Sequence, residues 1–146
     1  MRELYLVHTF ATLMMCGVIW IIQWLHYPLF AEVGAEAFHT YEVLHRTWIS
    51  QLVGPLMLLE LGTGILCYFR KPLVVPRRQP LLGLLLLAIL WGSTFFIQVP
   101  LHNAITQNFD LAAINSLVLS NWIRTVAWSL RALLVLVMLR NMMFPS

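Results

Sequence analysis

The residues of this sequence that could do chemistry are ionisable side chains set into, or against, long apolar runs. His26, His45 and His102 each stand at the edge of such a run, and Arg124 stands just inside a fourth. Glu60 and Arg131 fall deeper within theirs. Neutral imidazole is the commonest metal ligand among side chains, and three protein ligands leave a coordination position open for chemistry. His26, His45 and His102 are therefore the expected ligands of a transition metal ion, and copper, iron and zinc all suit imidazole. Haem fits less well, because a bis-histidine pair belongs deep between helices rather than at their ends. Gln98 precedes His102 by four residues and so shares its helix face. With Arg124, Glu60 and Arg131, it makes up the polar set expected to act in catalysis around the metal.

The remaining candidates have simpler readings. His39 is six residues from His45, on a different helix face, and His8, near a helix end, reads as interfacial. Cys16 and Cys67 lie in apolar runs of different segments and read as small buried hydrophobes rather than a disulfide. There is no HExxH or CxxC spacing, no phosphate loop, no nucleophile elbow and no paired carboxylates suited to hydrolysis. The case for a site rests on depth alone: single histidines from separate segments must meet at one level.

What positions these residues is a framework made for a bilayer. Of 146 residues, 60% are hydrophobic and 10% charged, whereas soluble domains carry about 25% charged residues. A mean hydropathy of +0.80 says the same. The apolar runs predict one all-α domain, residues 1–146, of four transmembrane helices at about 4–27, 48–69, 81–99 and 122–139. Each approaches the length that crosses a hydrocarbon core of about 30 Å. The first is expected to stop at Pro28. The run Leu4–Leu25 is too long for the core of a signal peptide and lacks a small-residue cleavage motif, so it reads as a retained span. Short amphipathic helices are expected in the two outer connections, at 35–46 and 111–119, the second capped by Asp110. Gly62-Thr63-Gly64 and Gly92-Ser93-Thr94 offer small surfaces for close helix approach.

Orientation follows the lysine and arginine bias. Arg2, Arg70, Lys71, Arg77, Arg78 and Arg140 fall on one side of a four-span chain, while Glu32, Glu36, Glu42 and Asp110 fall on the other. The expectation is a multi-pass protein of the inner (cytoplasmic) membrane with both termini cytoplasmic. His26, His45, His102 and Arg124 then lie near the outer face. Counted from Arg46 and Asn121, Glu60 and Arg131 lie about 21 Å and 15 Å deeper at 1.5 Å per residue, close enough to pair near mid-bilayer. Asn121, Arg124, Trp128 and Arg131 follow steps of three, four and three, a polar stripe that must face the helix bundle's interior.

Three readings stay open. One is a metal-dependent membrane oxidoreductase acting on a lipophilic small molecule. A second is a non-enzymatic subunit or assembly factor in which the Glu60–Arg131 pair and the histidines only hold the bundle together. The third is a proton-coupled small-molecule transporter, with Arg124 as anion anchor and a histidine as proton carrier. Membrane lipids are the expected surroundings, and a homo-oligomer is compatible with the sequence. Nucleic acid is not an expected partner despite a net charge of +3, because no basic aromatic surface exists.

Four segments carry a resemblance: His26-Tyr27-Pro28-Leu29-Phe30, Gly54–Leu61, Gln98-Val99-Pro100-Leu101-His102 and Asn121-Trp122-Ile123-Arg124-Thr125. In them the chain resembles a group of small uncharacterised bacterial four-helix membrane proteins. It is more distantly similar to the anthrone-oxygenase-like membrane proteins, which have a Pro-X-Asn element after the third span and Asn-X-X-Arg opening the fourth. Pro100-Leu101-His102-Asn103 and Asn121-Trp122-Ile123-Arg124 are the counterparts, with His102 where that family more often has asparagine. The resemblance implies oxygen-dependent oxidation of a hydrophobic substrate and supplies no catalytic residues.

Overall fold

Leucines dominate the apolar runs, and side chains without a β-branch lose little rotamer freedom in a helix. In the computed structural model, which describes residues 1–144, they form four helical rods and no strand is present among the described residues. The rods span Arg2–Glu32, Ala35–Phe69, Arg78–Gln107 and Leu111–Met143, and each is long and apolar enough to cross a membrane. The connections between them are short, which makes consecutive rods antiparallel neighbours. Gly34 ends the first rod with φ at +81°, a left-handed conformation that glycine adopts without a steric penalty.

Contacts at the two ends fix the arrangement. At one end the Tyr5 hydroxyl donates to the Cys67 carbonyl at 3.2 Å and Asn141 donates to Gln79 at 3.3 Å. That end therefore holds both termini and the basic connection after Phe69. At the other end His26 meets His45, and Gln98 donates to Ser120 at 2.9 Å. The first rod packs on the second and fourth, and the third on the fourth and second, so the four close into a ring. One core cluster runs through all four rods, and a smaller one of Tyr5, Cys67, Val75, Val135 and Met138 closes the terminal end.

Polarity is arranged inside out. Trp24, Phe96 and Leu133 are exposed, whereas Glu42, Glu60, Asn121 and Arg131 are buried. The stripe of Asn121, Arg124, Trp128 and Arg131 does face inward. Gly64 serves close approach, since a Cβ there would lie 3.1 Å from Leu87 and 3.2 Å from His8. Gly62 and Gly92 have open space instead, so the small-surface expectation holds at one of these positions only. Cys16 and Cys67 are unbridged.

The rods differ from the predicted spans in ways that matter to the site. The expected separate amphipathic helices do not exist: residues 35–46 are the start of the second rod and 111–119 the start of the fourth. Asp110 nonetheless caps the fourth, accepting from the Ala112 amide at 2.8 Å. Pro28 does not stop the first rod. It occupies the first position of a 3-10 turn, Pro28–Glu32, where its missing N–H costs nothing. The third rod passes Val99 and Pro100 and runs on to Gln107. Two π-helical segments explain the altered paths, Ile22–His26 and Thr94–Gln98. Each is one loosened turn within a continuous rod, a feature that recurs at functional sites.

Candidate functional site

Two buried polar networks occupy the interior at different levels. The one nearer the termini centres on Glu60. Its Oε1 accepts from Thr12 at 2.8 Å and from Arg131 Nε at 2.9 Å, and its Oε2 accepts from Trp128 Nε1 at 3.0 Å. Arg131 also donates to the Gly83 carbonyl. The expected Glu60–Arg131 pair is thus present, with donors and acceptors matched. His8 belongs here too, sharing a hydrogen bond with Thr63 Oγ1 at 2.8 Å. It is buried, not interfacial as its place near a chain end suggested, because it points along the second rod's Thr63–Gly64 face.

The second network lies at the opposite end and gathers the three predicted ligands. His26 Nε2 and His45 Nδ1 are 2.7 Å apart, and the His45 and His102 rings stack with centroids 5.4 Å apart. The π segments make this convergence, since each ends at or just before a residue of the network, His26 in the first rod and Gln98 in the third. Two residues not singled out from sequence join them. Glu42 Oε1 is 2.5 Å from His102 Nδ1, and the Tyr27 hydroxyl is 2.9 Å from His102 Nε2. A neutral imidazole that donates from Nδ1 to a carboxylate presents Nε2 as an acceptor, so the Tyr27 hydroxyl donates.

The set best placed around one ion is Glu42, His45 and His102. One ligand atom from each lies within 4.8 Å of the other two. Glu42 is fully buried, yet its Oε2 has no partner, and the buried Nε2 of His45 has none either. Burying a carboxylate without full compensation is costly, and a cation between these atoms would supply it. His26 differs from expectation in role: its contact is to the far nitrogen of His45, the position from which a second residue orients a metal-bound ring. Tyr27 stands in the same relation to His102. His39 stays outside, bonded to the Thr106 carbonyl at 2.9 Å.

Beside this cluster is a cavity of about 160 Å³, bordered by Tyr27, Gln98, His102, Arg124 and Trp128 among others. Arg124 and Gln98 thus share a cavity wall with one of the three predicted ligands, His102. Glu60 and Arg131 do not border it and stand apart in their own network. Glu42 and Tyr27 could have been found by spacing. Glu42 is one turn before His45 on the same helix face, and Tyr27 adjoins His26 just before Pro28.

No family model matches the chain, and neither does any curated protein or any solved structure.

Proposed function

We propose that the protein is a four-span membrane protein that holds one transition metal ion on Glu42, His45 and His102 and uses it to oxidise or reduce a lipophilic small molecule. Insertion in a bilayer is supported by four apolar rods around a polar interior. The positive-inside bias assigns the end with the termini to the cytoplasm, and the bacterial inner membrane is the setting proposed. The observation that carries the metal reading is the pair of buried, unpartnered ligand atoms, Glu42 Oε2 and His45 Nε2, in a cluster whose ligand atoms lie within 4.8 Å. A purely structural role leaves both without compensation, in contrast to the fully matched Glu60 network.

Two imidazoles and one carboxylate with open positions form the ligand set of non-haem iron(II) oxygenases, and the same donors also suit zinc. Iron is the ion proposed for redox work. Ligation through Nδ1 requires the other neutral tautomer of His102, with its single proton on Nε2, where the N–H would donate to the Tyr27 oxygen and hold the ring's orientation. The test is elemental analysis of the full chain purified in non-ionic detergent without added chelator. About one iron per chain is expected, absent in Glu42→Gln and in His45→Ala. Stoichiometric zinc would keep the site and remove the redox role. No metal in any preparation would end the reading.

A second reading has its own observation, the unbroken relay from Glu42 through His102 to Tyr27 at 2.5 and 2.9 Å. In it a buried carboxylate orients an imidazole that takes a proton from the phenol at the cavity wall, acid–base chemistry with no ion. Metal content separates the two.

A further inference from the structure

The cavity beside the metal cluster has an unbalanced set of polar groups. Among the described residues the ion pairs are Glu42 with His102 and Glu60 with Arg131, so no carboxylate pairs with Arg124. Arg124 is 9% exposed, borders the cavity and has an Nε–H without an acceptor. Its guanidinium lies over the Trp128 ring, 5.7 Å from the centroid, with the neutral Tyr27 phenol as its neighbour, so no anion meets the cation. Gln98 Oε1 and Thr94 Oγ1 border the same space and have no partner either. Gln98 spends its amide nitrogen on Ser120, and exchange of its two amide atoms would turn the N–H groups to the cavity instead. All three polar groups can therefore act as donors to a ligand in this cavity. The rest of the wall has a second cation, Arg46, with Ser50, Tyr27 and His102, and an apolar part in which Met15, Ile19, Val53 and Met57 are prominent.

We infer that this cavity binds the carboxylate head of a lipophilic monocarboxylic acid, held by Arg124, Gln98 and Thr94. Charge selects the head, because a desolvated guanidinium lacking an anion is costly and a carboxylate matches its planar donors. Size fits too. A cavity of roughly 150 Å³ accommodates a benzene ring, so about 160 Å³ takes a carboxylate and the first part of a chain or a single ring, not a whole lipid. The tail leaves sideways. Ser50 on the second rod and Val99 on the third are the exposed members of the lining, and they mark a mouth between those rods. A molecule dissolved in the apolar leaflet reaches the head site through it without crossing water. This assignment rests on the proposed function only in making the ligand a substrate; its binding does not need the metal.

The test uses the full chain in non-ionic detergent, titrated with decanoate, decanol or decyltrimethylammonium while its apparent melting temperature is followed. Decanoate is expected to stabilise saturably, decanol to need at least about tenfold more, since hydrogen bonds to charged groups carry that much discrimination, and the cationic amphiphile to have no effect. Gln98→Glu places a competing carboxylate beside the cavity, and Val53→Phe fills its apolar part. Each should weaken decanoate about tenfold or more without loss of helicity or bound metal. Equal potency of decanoate and decanol, or unchanged decanoate affinity in both variants, overturns the inference. A chain that binds decanoate but no metal removes the metal centre alone; one that holds metal but ignores decanoate removes the carboxylate site alone.

Discussion

At the scale of single residues, the two networks differ in how completely their atoms are matched, and the difference predicts opposite behaviour. Every oxygen of Glu60 has a donor, two of them on Oε1. Removing one charge of a buried pair strands the other and typically costs about 3–5 kcal/mol, whereas replacing both with residues of similar size costs much less. Arg131→Met alone should therefore destabilise the chain by about that amount, and Glu60→Gln with Arg131→Met should recover part of the loss, as read by denaturation in detergent. Additive losses in the double variant would contradict the pairing. In the histidine network at the end away from the termini, the orienting residues should tune rather than abolish binding. His26→Ala and Tyr27→Phe each remove a partner of a proposed ligand ring, and loss of such a partner typically weakens metal about 10–100-fold. A metal titration of each variant checks this, and unchanged affinity in both would place these side chains outside the centre's support. Sequence showed three histidines and an arginine at one depth, because each stands at the edge of an apolar run. Glu42 escaped notice because it reads as the solvated side of an amphipathic turn, and its burial depends on His102 arriving from another rod.

At the scale of elements, the π segments decide which side chains meet. One extra residue in a turn shifts everything after it by about 100° around the axis. Neither segment is visible in sequence, since the loosened turn is chosen by the tertiary bonds it permits, such as Gln23 with Asn121 at 2.9 Å and Gln98 with Ser120. The same turn absorbs Pro100, which local rules placed near a helix end. Deleting exposed Phe96 from Thr94–Gln98 should restore ordinary α-helix and swing His102 away from Glu42. Helicity by circular dichroism should stay within a few per cent of the parent while metal binding disappears; the substitution Phe96→Ala should keep both. Metal retained after the deletion would show that the π turn does not set the register of His102. Cap and turn chemistry was readable at this scale, as Asp110 demonstrates, because its cause is local. The fusion of residues 35–46 with the second span was not, because nothing in a helical pattern says where an amphipathic stretch detaches.

For the whole molecule, composition and the distribution of lysine and arginine were enough to foresee four antiparallel apolar rods with all the basic connections at one end. The contacts of Tyr5 with Cys67 and of His26 with His45 place the chain's ends accordingly. Which end faces the cytoplasm is an inference from charge and can be checked in cells. With Cys16 and Cys67 replaced by alanine, a cysteine at Gly34 should react with an impermeant thiol reagent added outside. One at Val74, in the basic connection, should react only after permeabilisation. The reverse pattern would invert the assignment.

The central claim is that one ion sits on Glu42, His45 and His102. X-ray absorption at the metal edge of the purified chain reads that shell directly. The account predicts two imidazole nitrogens and at least one carboxylate oxygen at about 2.0–2.2 Å, with imidazole scattering lost in His45→Ala combined with His102→Ala. A shell without imidazole, or one that the double replacement leaves unchanged, would contradict it.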